Sequence, residues 1–596
     1  MTISTQTTSL SSRGLRVNKT TVLATLLVLA ALATAPLWGS AYIRSFLSVT
    51  LMWVGLALSW NIISGYSGYV SLGHTAFFGM GAYVGALLFS NLGMPWGLAA
   101  IVAGVITSVV AVPIGYILLR LRGPFFAVGM LGLSEVFRIG VNRLSAWTGG
   151  GHGLYLETTS RLWLVYFGFM AITLAAFLAT WLIDSLPYGR TLLAMRDDEV
   201  ATQVLGTPTT RAKVAAFVVS AFFPAMLGTT YAIFISYIDP SSAFNLEYNL
   251  IMVLMGALGG VGTVIGPVLG GAVVGGLRES LWVSLPQLHL ILFGIIMVVT
   301  VLVLPDGLYP RIRGMVRRWR GATETTIREA RVEGAPTISL DEFSPPEVEA
   351  EPLLTVESVI KSFAGRRVID ECTFEIAPNS VTGLIGPNGS GKTTVLNLIN
   401  GILNVDGGNI VFNGVRIDNK APHQIGHLGI GRTYQIPRLF DRLTVLDNMM
   451  VASPQGLSPG VSAQRARQRL ELVGLGGFEE RLAGKLSYGQ RKLLEMARVL
   501  MGDPLLILMD EPFAGVNPIL RERIAELVRI LGSHGVTFVV IGHEMTEMMA
   551  LCDRIVVMDQ GAVISEGSPA HVQQDPAVFE AYFGRRAEFI PNGRQP

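Results

Sequence analysis

Long apolar runs fill the first half of this 596-residue sequence and constrain its fold more than any other feature. Most of them approach the ~20 residues that a helix needs to cross the hydrocarbon core of a bilayer. Half of all residues are hydrophobic, 15% are charged and the mean hydropathy is +0.49, which is typical of a polytopic membrane protein. The runs are Thr21–Trp38, Phe46–Ile63, Leu72–Phe89, Trp96–Leu119, Phe125–Val141, Leu162–Ile183, Val214–Ile238, Leu250–Leu277 and Leu288–Leu304.

Basic residues predict the orientation of these helices, because cytoplasmic loops carry an excess of Lys and Arg. Arg13, Arg16 and Lys19 place the N-terminus in the cytoplasm, and even numbers of runs lead from there to Arg120 and then to Arg190. The first run could be a signal peptide, but it is long enough to span a bilayer and further spans follow, so we expect an uncleaved span.

The run Leu250–Leu277 is too long for one span and is rich in glycine. A single span here would leave the next basic cluster, which begins at Arg311, on the wrong side of the membrane. We therefore expect two short helices with a break between them, and about ten spans in total. Broken helices at membrane depth either line a cavity or permit close helix packing, and the sequence leaves both open.

The composition changes after Leu304. A basic stretch, Arg311–Arg320, is followed by an acidic, proline-containing one, which predicts a linker over residues 309–352. The basic part would meet the anionic inner leaflet or form a solvated run of charge. From Leu353 short apolar strands alternate with helical stretches, as in an α/β domain. Its cysteines, Cys372 and Cys552, suit a reduced cytosolic domain. The net charge of +2 carries no information about nucleic acid, and we expect no nucleic-acid partner.

A glycine-rich loop follows the predicted strand Val381–Ile385 and precedes an apolar helix. Its pattern, G-x-x-x-x-G-K-[ST], predicts backbone N–H groups turned inward around the phosphates of ATP. Lys392 would reach the β- and γ-phosphates, and Thr393 would supply a Mg²⁺ ligand. The predicted nucleotide-binding residues of this loop are Gly386, Pro387, Asn388, Gly389, Ser390, Gly391, Lys392, Thr393 and Thr394.

Two adjacent carboxylates end the apolar strand that begins at Leu505. A buried strand explains the apolar residues but not the acids that follow them. Asp510 would hold Mg²⁺, and Glu511 would act as general base on the attacking water. Together with the phosphate loop, these residues predict a P-loop NTPase that hydrolyses ATP.

The sequence Leu486–Gln490, which reads LSYGQ, resembles the signature motif of ATP-binding cassette (ABC) ATPases, with Tyr488 in place of the more common glycine. In that family the signature of one ATPase domain closes over the ATP held by another. The resemblance therefore implies that Ser487, Gly489 and Gln490 contact nucleotide.

Three further residues match ABC positions. Gln435 matches the Q-loop glutamine, which senses Mg²⁺ and contacts the permease. His543 matches the switch histidine at the γ-phosphate, and Phe363 the aromatic residue that stacks on adenine; a surface histidine and a core phenylalanine are the structural alternatives. Two positions depart from the family, since Asn517 replaces the D-loop aspartate and Gly542 precedes the histidine. Neither departure affects the general base Glu511, so we still expect the domain to hydrolyse ATP.

The membrane half is similar to the Liv-type branched-chain amino acid permeases, over roughly Ile43 to Leu308. The ATPase half, about Leu353 to Gly584, resembles that family's first ATP-binding subunit. The basic residues, the change in composition and the resemblance together predict a cytoplasmic segment 1–20, a permease domain 21–308, the linker 309–352, an ATP-binding domain 353–586 and a tail 587–596. The permease motifs are Asn61–His74 with Phe77–Gly79, Arg120–Ala127, Thr148–Leu154 and Gly259–Pro267.

This resemblance implies ATP-driven import of branched-chain amino acids across the bacterial inner membrane, with the ATPase domain in the cytoplasm. The implied partners are a second permease, a second ATP-binding subunit and a periplasmic binding protein, and a homodimer remains the alternative assembly. Urea and short-amide importers share much of the permease pattern, so the substrate stays open. An ABC exporter is a further alternative. Exporters usually have six long helices that extend into the cytoplasm, whereas this sequence predicts about ten closely spaced helices with short loops, which favours an importer.

Three permease segments are candidates for function. The loop Thr148–Gly153 would face the outside and contact the binding protein or form a plain turn. Glu135 and Arg138, one turn apart within a span, would pair in the protein interior. The cytoplasmic stretch Leu192–Ala201 would form one short amphipathic helix, which resembles the coupling helix of importers; a surface helix is the alternative.

Overall fold

The computed structural model describes residues 19–157, 162–284, 288–304, 307–319 and 348–583. The chain forms two compact units, and a short segment of the first half belongs to the second of them. The first unit is Met1–Arg196 with Thr209–Ala330, and the second is Asp197–Pro208 with Arg331–Pro596. Most of the predicted N-terminal segment and of the linker, and all of the tail 587–596, lie outside the described residues.

The described residues of the first unit are helical, apart from one short pair of strands and the loops between elements. Its helices are α1 (Lys19–Trp38), α2 (Ala41–Trp60), α3 (His74–Leu92), α4 (Trp96–Leu118), α5 (Pro124–Arg143), α6 (Ser145–Thr148), α7 (Leu162–Ser185), α8 (Pro187–Asp197), α10 (Thr209–Ile235), α11 (Pro240–Ala243), α12 (Leu246–Gly259), α13 (Gly266–Ser284), α14 (His289–Val303) and α15 (Leu308–Trp319). Helix α9 (Glu199–Val204) belongs to the second unit. The strands β1 (Leu154–Tyr155) and β2 (Tyr237–Ile238) pair antiparallel.

Six helices of the described residues are long and apolar enough to span a membrane: α2 with its π-helical extension to Tyr66, α3, α4, α5, α7 and α10. The prediction of about ten spans is therefore not confirmed. The expected break in the run Leu250–Leu277 is present, because α12 ends at Gly259 and α13 begins at Gly266. Gly260 has a φ of +118°, a backbone conformation that other residues rarely adopt, and it ends α12.

Polar side chains satisfy the backbone at this break. The Asn61 amide donates to the Thr263 carbonyl over 3.0 Å and accepts from the Gly262 N–H over 2.9 Å. Asn61 is fully buried in the π-helical turn that follows α2. Irregular backbone is tolerated at membrane depth only where protein or water satisfies its polar groups, and Asn61 performs that task here.

Small residues bring the central helices of the first unit close together. A Cβ on Gly81 of α3 would lie 2.2 Å from the Cα of Ala225 on α10. The Thr229 hydroxyl of α10 donates to the Gly81 carbonyl over 2.7 Å. No larger side chain fits at Gly81 between these two backbones.

The predicted single helix over Leu192–Ala201 is wrong, because two helices meet there. Helix α8 ends at Asp197, and Asp198 adopts an extended backbone with φ −151°. Its carboxylate accepts the Ala201 N–H over 2.8 Å, which makes Asp198 the N-cap of α9. Aspartate is among the preferred N-cap residues, and this local preference outweighs the continuous amphipathic pattern.

The second unit is an α/β fold with two sheets. The larger sheet has the order β12-β11-β5-β10-β9-β8, with β12 antiparallel at one edge, and the smaller has the antiparallel order β4-β3-β6-β7. The strands are β3 (Leu354–Phe363), β4 (Arg366–Ile376), β5 (Val381–Ile385), β6 (Gly407–Phe412), β7 (Val415–Arg416), β8 (Ile430–Arg432), β9 (Leu506–Asp510), β10 (Thr537–Ile541), β11 (Arg554–Asp559) and β12 (Ala562–Gly567).

Helices cover the larger sheet, and its parallel core places the candidate site. The helices are α16 (Lys392–Ile399), α17 (Pro422–His427), α18 (Val445–Val451), α19 (Pro459–Leu472), α20 (Tyr488–Val499), α21 (Pro518–Ser533), α22 (Met545–Leu551), α23 (Pro569–Gln574) and α24 (Pro576–Phe583). Strand β10 pairs in parallel with both β5 and β9. The segments that follow these three strands therefore meet at one edge of the sheet, where open α/β sheets bind ligands.

Candidate nucleotide site

The phosphate loop joins the buried strand β5 to helix α16. Gly389 and Gly391 have φ of +83° and +103°, and Gly391 is the N-cap residue of α16. A Cβ on Gly386 would lie 2.1 Å from the Met558 carbonyl oxygen, so only glycine fits. The Lys392 ammonium donates to the carbonyls of Gly386 and Pro387 over 2.8 and 2.9 Å. The predicted loop therefore has the strand–loop–helix context that phosphate binding requires.

The two adjacent carboxylates lie at the carboxyl end of β9. Asp510 is the last residue of the strand, and Glu511 adopts a φ of +45° just beyond it. For a residue other than glycine this conformation typically costs ~1–3 kcal/mol. Two hydrogen bonds hold it, because the Glu511 N–H donates to the Ile541 carbonyl over 2.9 Å and the Lys492 ammonium donates to the Glu511 carbonyl over 2.8 Å.

Gln435 and His543 converge on the Glu511 carboxylate. The Gln435 amide donates to Oε2 over 2.8 Å, and His543 Nδ1 lies 3.5 Å from Oε1. These three residues come from separate loops, after β8, β9 and β10. The structure thus brings together the three predicted catalytic residues.

Charge and burial shape the environment of Lys392 and Asp510. Burial lowers the pKa of Lys392, against the opposing influence of Glu511 and Asp510. Burial raises the pKa of Asp510, because here too it disfavours the charged form. The guanidinium of Arg432, 3.7 Å from the carboxylate, opposes this shift. A loop lysine and two carboxylates therefore share one polarised site, which is the arrangement that a metal–phosphate group would occupy.

The donor set fits Mg²⁺. Thr393 in the first turn of α16, Asp510 and Gln435 carry oxygen atoms, which this ion prefers. Within the described ranges, no group of three or more His, Cys, Asp or Glu residues could hold a metal by itself. Mg²⁺ commonly binds through one or two protein oxygens together with substrate phosphates, so a partial protein ligand set is the expected one.

The signature residues begin helix α20. The Ser487 hydroxyl accepts the Gln490 N–H over 3.3 Å, and the Gln490 side chain accepts the Ser487 N–H over 3.0 Å. This capping box fixes the N-terminus of the helix, and Ser487 remains exposed. Gly489 lies in the first turn, and the Tyr488 hydroxyl donates to the Gln435 carbonyl over 3.1 Å. Tyr488, which stands where the family more commonly has glycine, therefore links the signature to the Q-loop by a hydrogen bond.

The remaining candidate residues differ in their exposure to solvent. Phe363 ends β3 and is 43% exposed, so it is not a core phenylalanine. Asn388 and Gly389 are exposed, whereas Ser390 is buried. Asn517 caps α21 by accepting the Leu520 N–H over 2.8 Å, a task that its amide performs without charge.

Sequence reasoning missed a buried pair and a lysine that support the site from α20. Lys492 holds the carbonyls of Glu511 and Pro512. Glu495 accepts the N–H groups of Tyr434 and Arg438, and Arg498 donates to the Arg438 carbonyl over 2.6 Å. One signal was available, since charged residues that recur within an apolar helical pattern need buried partners.

The segment between α8 and α10 contacts the residues that follow the Q-loop glutamine. The Asp198 carboxylate lies 3.4 Å from the Arg438 guanidinium, and the Arg442 N–H donates to Asp197 over 3.1 Å. Beyond α9, a Cβ on Gly206 would lie 2.9 Å from the His427 ring. The segment therefore packs closely against the Q-loop through Asp197 and Asp198, and against α17 through Gly206.

The fold and the site define the second unit as an ABC ATPase domain. Comparisons of the sequence with family models agree with this assignment. Residues 369–514 match the ABC transporter model, and residues 562–588 match the branched-chain amino acid ATP-binding cassette transporter model. In the first half, residues 42–301 match the model described as the branched-chain amino acid transport system permease component.

Individual relatives match the second half. The probable branched-chain amino acid transport ATP-binding protein LivG of Archaeoglobus fulgidus is 36% identical over 255 residues, which cover 40% of this chain and 99% of that protein. The high-affinity protein LivG of Escherichia coli K12 is 34% identical over 252 residues, covering 39% and 99%. A crystal structure of a nucleotide-free ATP-binding cassette from an ABC transporter is 36% identical, covers 39% of this chain and 99% of its own, and has a TM-score of 0.36.

The chain belongs to the branched-chain amino acid ABC transporters, and it carries their permease and ATP-binding parts in one polypeptide. Membership establishes an ATP-binding protein with membrane-spanning helices.

Proposed function

We propose that this chain couples ATP hydrolysis to the import of branched-chain amino acids as half of an ABC importer. The observation that carries the proposal is the presence of both a branched-chain amino acid permease domain and an ATP-binding cassette in one chain. The cassette retains a carboxylate, Glu511, within hydrogen-bond distance of Gln435 and close to His543. A binding-only domain would not need this arrangement.

In the proposed mechanism Glu511 takes a proton from the water that attacks the γ-phosphate. Gln435 orients the carboxylate and the water, and His543 contacts the γ-phosphate. Lys392 exchanges its present carbonyl partners for the β- and γ-phosphates, while Phe363 stacks on adenine. Mg²⁺, held by Thr393, Asp510 and Gln435, would neutralise the charge that develops on the phosphates.

The exposed signature supports a requirement for a second ATPase domain. Ser487, Gly489 and Gln490 present a hydroxyl and the N-terminus of the 12-residue helix α20, a natural site for an anionic phosphate. In the proposed assembly they close over nucleotide held by a partner, and the partner's signature closes over residues 386–394. We propose a heteromer with a second permease, a second ATP-binding subunit and a periplasmic binding protein.

The proposed location is the bacterial inner membrane, with the ATPase domain in the cytoplasm. The six helices of the described residues that could span a membrane support a membrane location. ATP is cytoplasmic, which supports the placement of the nucleotide site on that side.

Reconstitution tests this function directly. We expect the purified chain alone to show little ATPase activity, and the complex with a second Liv-type permease and ATPase to import labelled leucine when binding protein and ATP are supplied. Labelled urea serves as the competing substrate. Urea uptake in place of leucine uptake would contradict the substrate, and full binding-protein-stimulated transport by a homodimer would contradict the heteromer.

The contacts of Asp198 support a coupling role for the segment 197–208. The Asp198–Arg438 pair connects this segment to the Q-loop, and α8 and α10 continue the same polypeptide on either side of it. We expect Asp198→Arg to lower leucine uptake up to ~5-fold, because two guanidinium groups would then meet and a partly exposed pair contributes ~0.2–1 kcal/mol. Uptake and ATPase activity are measured side by side.

Matched variants separate charge from helix capping at this position. Asp198→Asn keeps an N-cap side chain but removes the charge, so we expect a smaller loss of uptake. Combining Asp198→Arg with Arg438→Asp restores the pair in reverse and should recover part of the uptake. Unchanged uptake in Asp198→Arg would remove the coupling role from this contact.

A further inference from the structure

Helix α5 has two opposite faces. Phe126, Met130 and Ser134 form a buried stripe, and the Ser134 hydroxyl lies 3.2 Å from that of Thr75 on α3. The other face is exposed and carries Glu135, whose partner in the predicted ion pair, Arg138, lies at the edge of that face, one turn beyond Ser134. Arg138 Nε donates to Glu135 over 2.9 Å, yet the two side chains are 36% and 53% exposed. The pairing is confirmed, but the interior location is wrong, because the described residues of this chain leave both side chains substantially exposed.

The depth of this pair in the helix makes its exposure informative. Helix α5 has 20 residues, which corresponds to about 30 Å, close to the thickness of the hydrocarbon core. Glu135 precedes the last residue of the helix, Arg143, by about 12 Å at 1.5 Å per residue. This is too far from the end for a glutamate side chain to reach the headgroups, so a lipid-facing position would hold the charge in hydrocarbon.

Helix α4 provides a comparison within the same unit. It also has an exposed face, formed by Ile101, Val105, Val109 and Ile117, and the helix contains no charged residue. That composition is what a lipid-facing surface requires. The exposed face of α5 instead combines Glu135 with Gly132, where a Cβ would meet no atom of the described residues within 4 Å. Small and polar residues are typical of helix faces that pack against other membrane helices.

We infer that the exposed face of α5, defined by Val128, Gly132, Glu135, Val136 and Ile139, is the surface on which the second permease subunit packs. This inference rests on the proposed heteromeric importer and specifies where its permeases meet. The partner covers Glu135 and Arg138 and removes them from lipid, while Gly132 leaves space for a partner side chain. The exposed face of α4 remains the lipid-facing surface.

Val136 and Val109 form a matched pair for the test, because both are valines with 64% exposure. Val136 lies on the exposed face of α5, and Val109 lies on the exposed face of α4. Single cysteines replace them in the full chain, after the two buried native cysteines have been replaced by alanine. A nitroxide attached at each position reports its contact with molecular oxygen, which concentrates in lipid. A benzophenone attached there instead reports the nearest polypeptide on illumination.

We expect the Val136→Cys label to lose oxygen accessibility when the second permease is present, and its benzophenone to form an adduct with that permease. The Val109→Cys label should keep its oxygen accessibility and form no such adduct. Equal oxygen accessibility at both positions in the assembled complex would overturn the inference, and so would an adduct between two copies of this chain. Uptake of labelled leucine by the same complexes tests the proposed function separately, because the labelling pattern does not depend on the substrate.

Discussion

Glu511→Gln is expected to retain ATP binding and to lower ATP turnover by ~10²–10⁴-fold, the usual contribution of a general base. The amide has nearly the same shape as the carboxylate, so the +45° backbone conformation and the support from Lys492 should persist. What is lost is the ability to accept a proton from the attacking water. The measurement is steady-state phosphate release by the assembled complex, with nucleotide affinity determined by titration.

Lys392→Ala is the contrasting variant for this experiment. It removes the ammonium group that would bind the phosphates, so the loss should appear in ATP affinity as well as in turnover. Glu511→Gln should separate the two quantities and Lys392→Ala should not. Near-normal phosphate release by Glu511→Gln would exclude Glu511 as the general base.

The local motifs of the nucleotide site were predictable from sequence because each combines a strand with a chemically unusual ending. The phosphate loop needs glycine at positions such as Gly391, and the acids at 510 and 511 have no structural purpose at the end of an apolar strand. The parallel pairing of β5, β9 and β10 then brings their ends together without further information.

Residues that act through long-range contacts were not predictable in the same way. Lys492 and Glu495 lie on one helix, and their partners are backbone groups 19 and 57–61 residues away in the chain. Backbone groups are the same for every residue, so no sequence pattern identifies them as partners. The structure alone shows that α20 supports both Glu511 and the Q-loop.

In the membrane half, the sequence predicts where the helices lie but not what covers their surfaces. Apolar periodicity locates helices, but it does not distinguish a lipid-facing surface from one that a partner covers. Glu135 and Arg138 were correctly expected to pair, and their exposure could not be deduced from their spacing. The helix boundary at Asp197 depended on one capping side chain, Asp198, which a continuous amphipathic pattern concealed.

Glu495→Ala is expected to destabilise the ATPase domain by ~3–5 kcal/mol, the usual result of removing one partner from a buried ion pair. Glu495 and Arg498 have side chains that are each 2% exposed, with 3.9 Å between the charged groups. Burial raises the pKa of Glu495 and lowers the pKa of Arg498, and the attraction between the two charges opposes both shifts. The substitution would also leave the N–H groups of Tyr434 and Arg438 without their acceptor.

A surface pair in the same domain gives the control for this variant. Arg367 and Asp370 lie 2.7 Å apart with side chains 59% and 49% exposed, and Asp370→Ala should cost no more than ~1 kcal/mol. Thermal unfolding of the full chain in detergent, followed with and without ATP, compares the two substitutions. Glu495→Leu combined with Arg498→Met should recover much of the lost stability, since buried ion pairs are often replaceable by apolar residues of similar volume.

The double variant also separates stability from function. It would refill the space around α20, yet leave the amides of the Q-loop without an acceptor and the Arg438 carbonyl without its donor. We therefore expect a stable domain in which Gln435 is poorly positioned on Glu511, seen as reduced ATP turnover at nearly unchanged ATP affinity. Normal turnover in the stabilised double variant would show that the buried pair serves only folding, and that Tyr488 and the Q-loop backbone suffice to place Gln435.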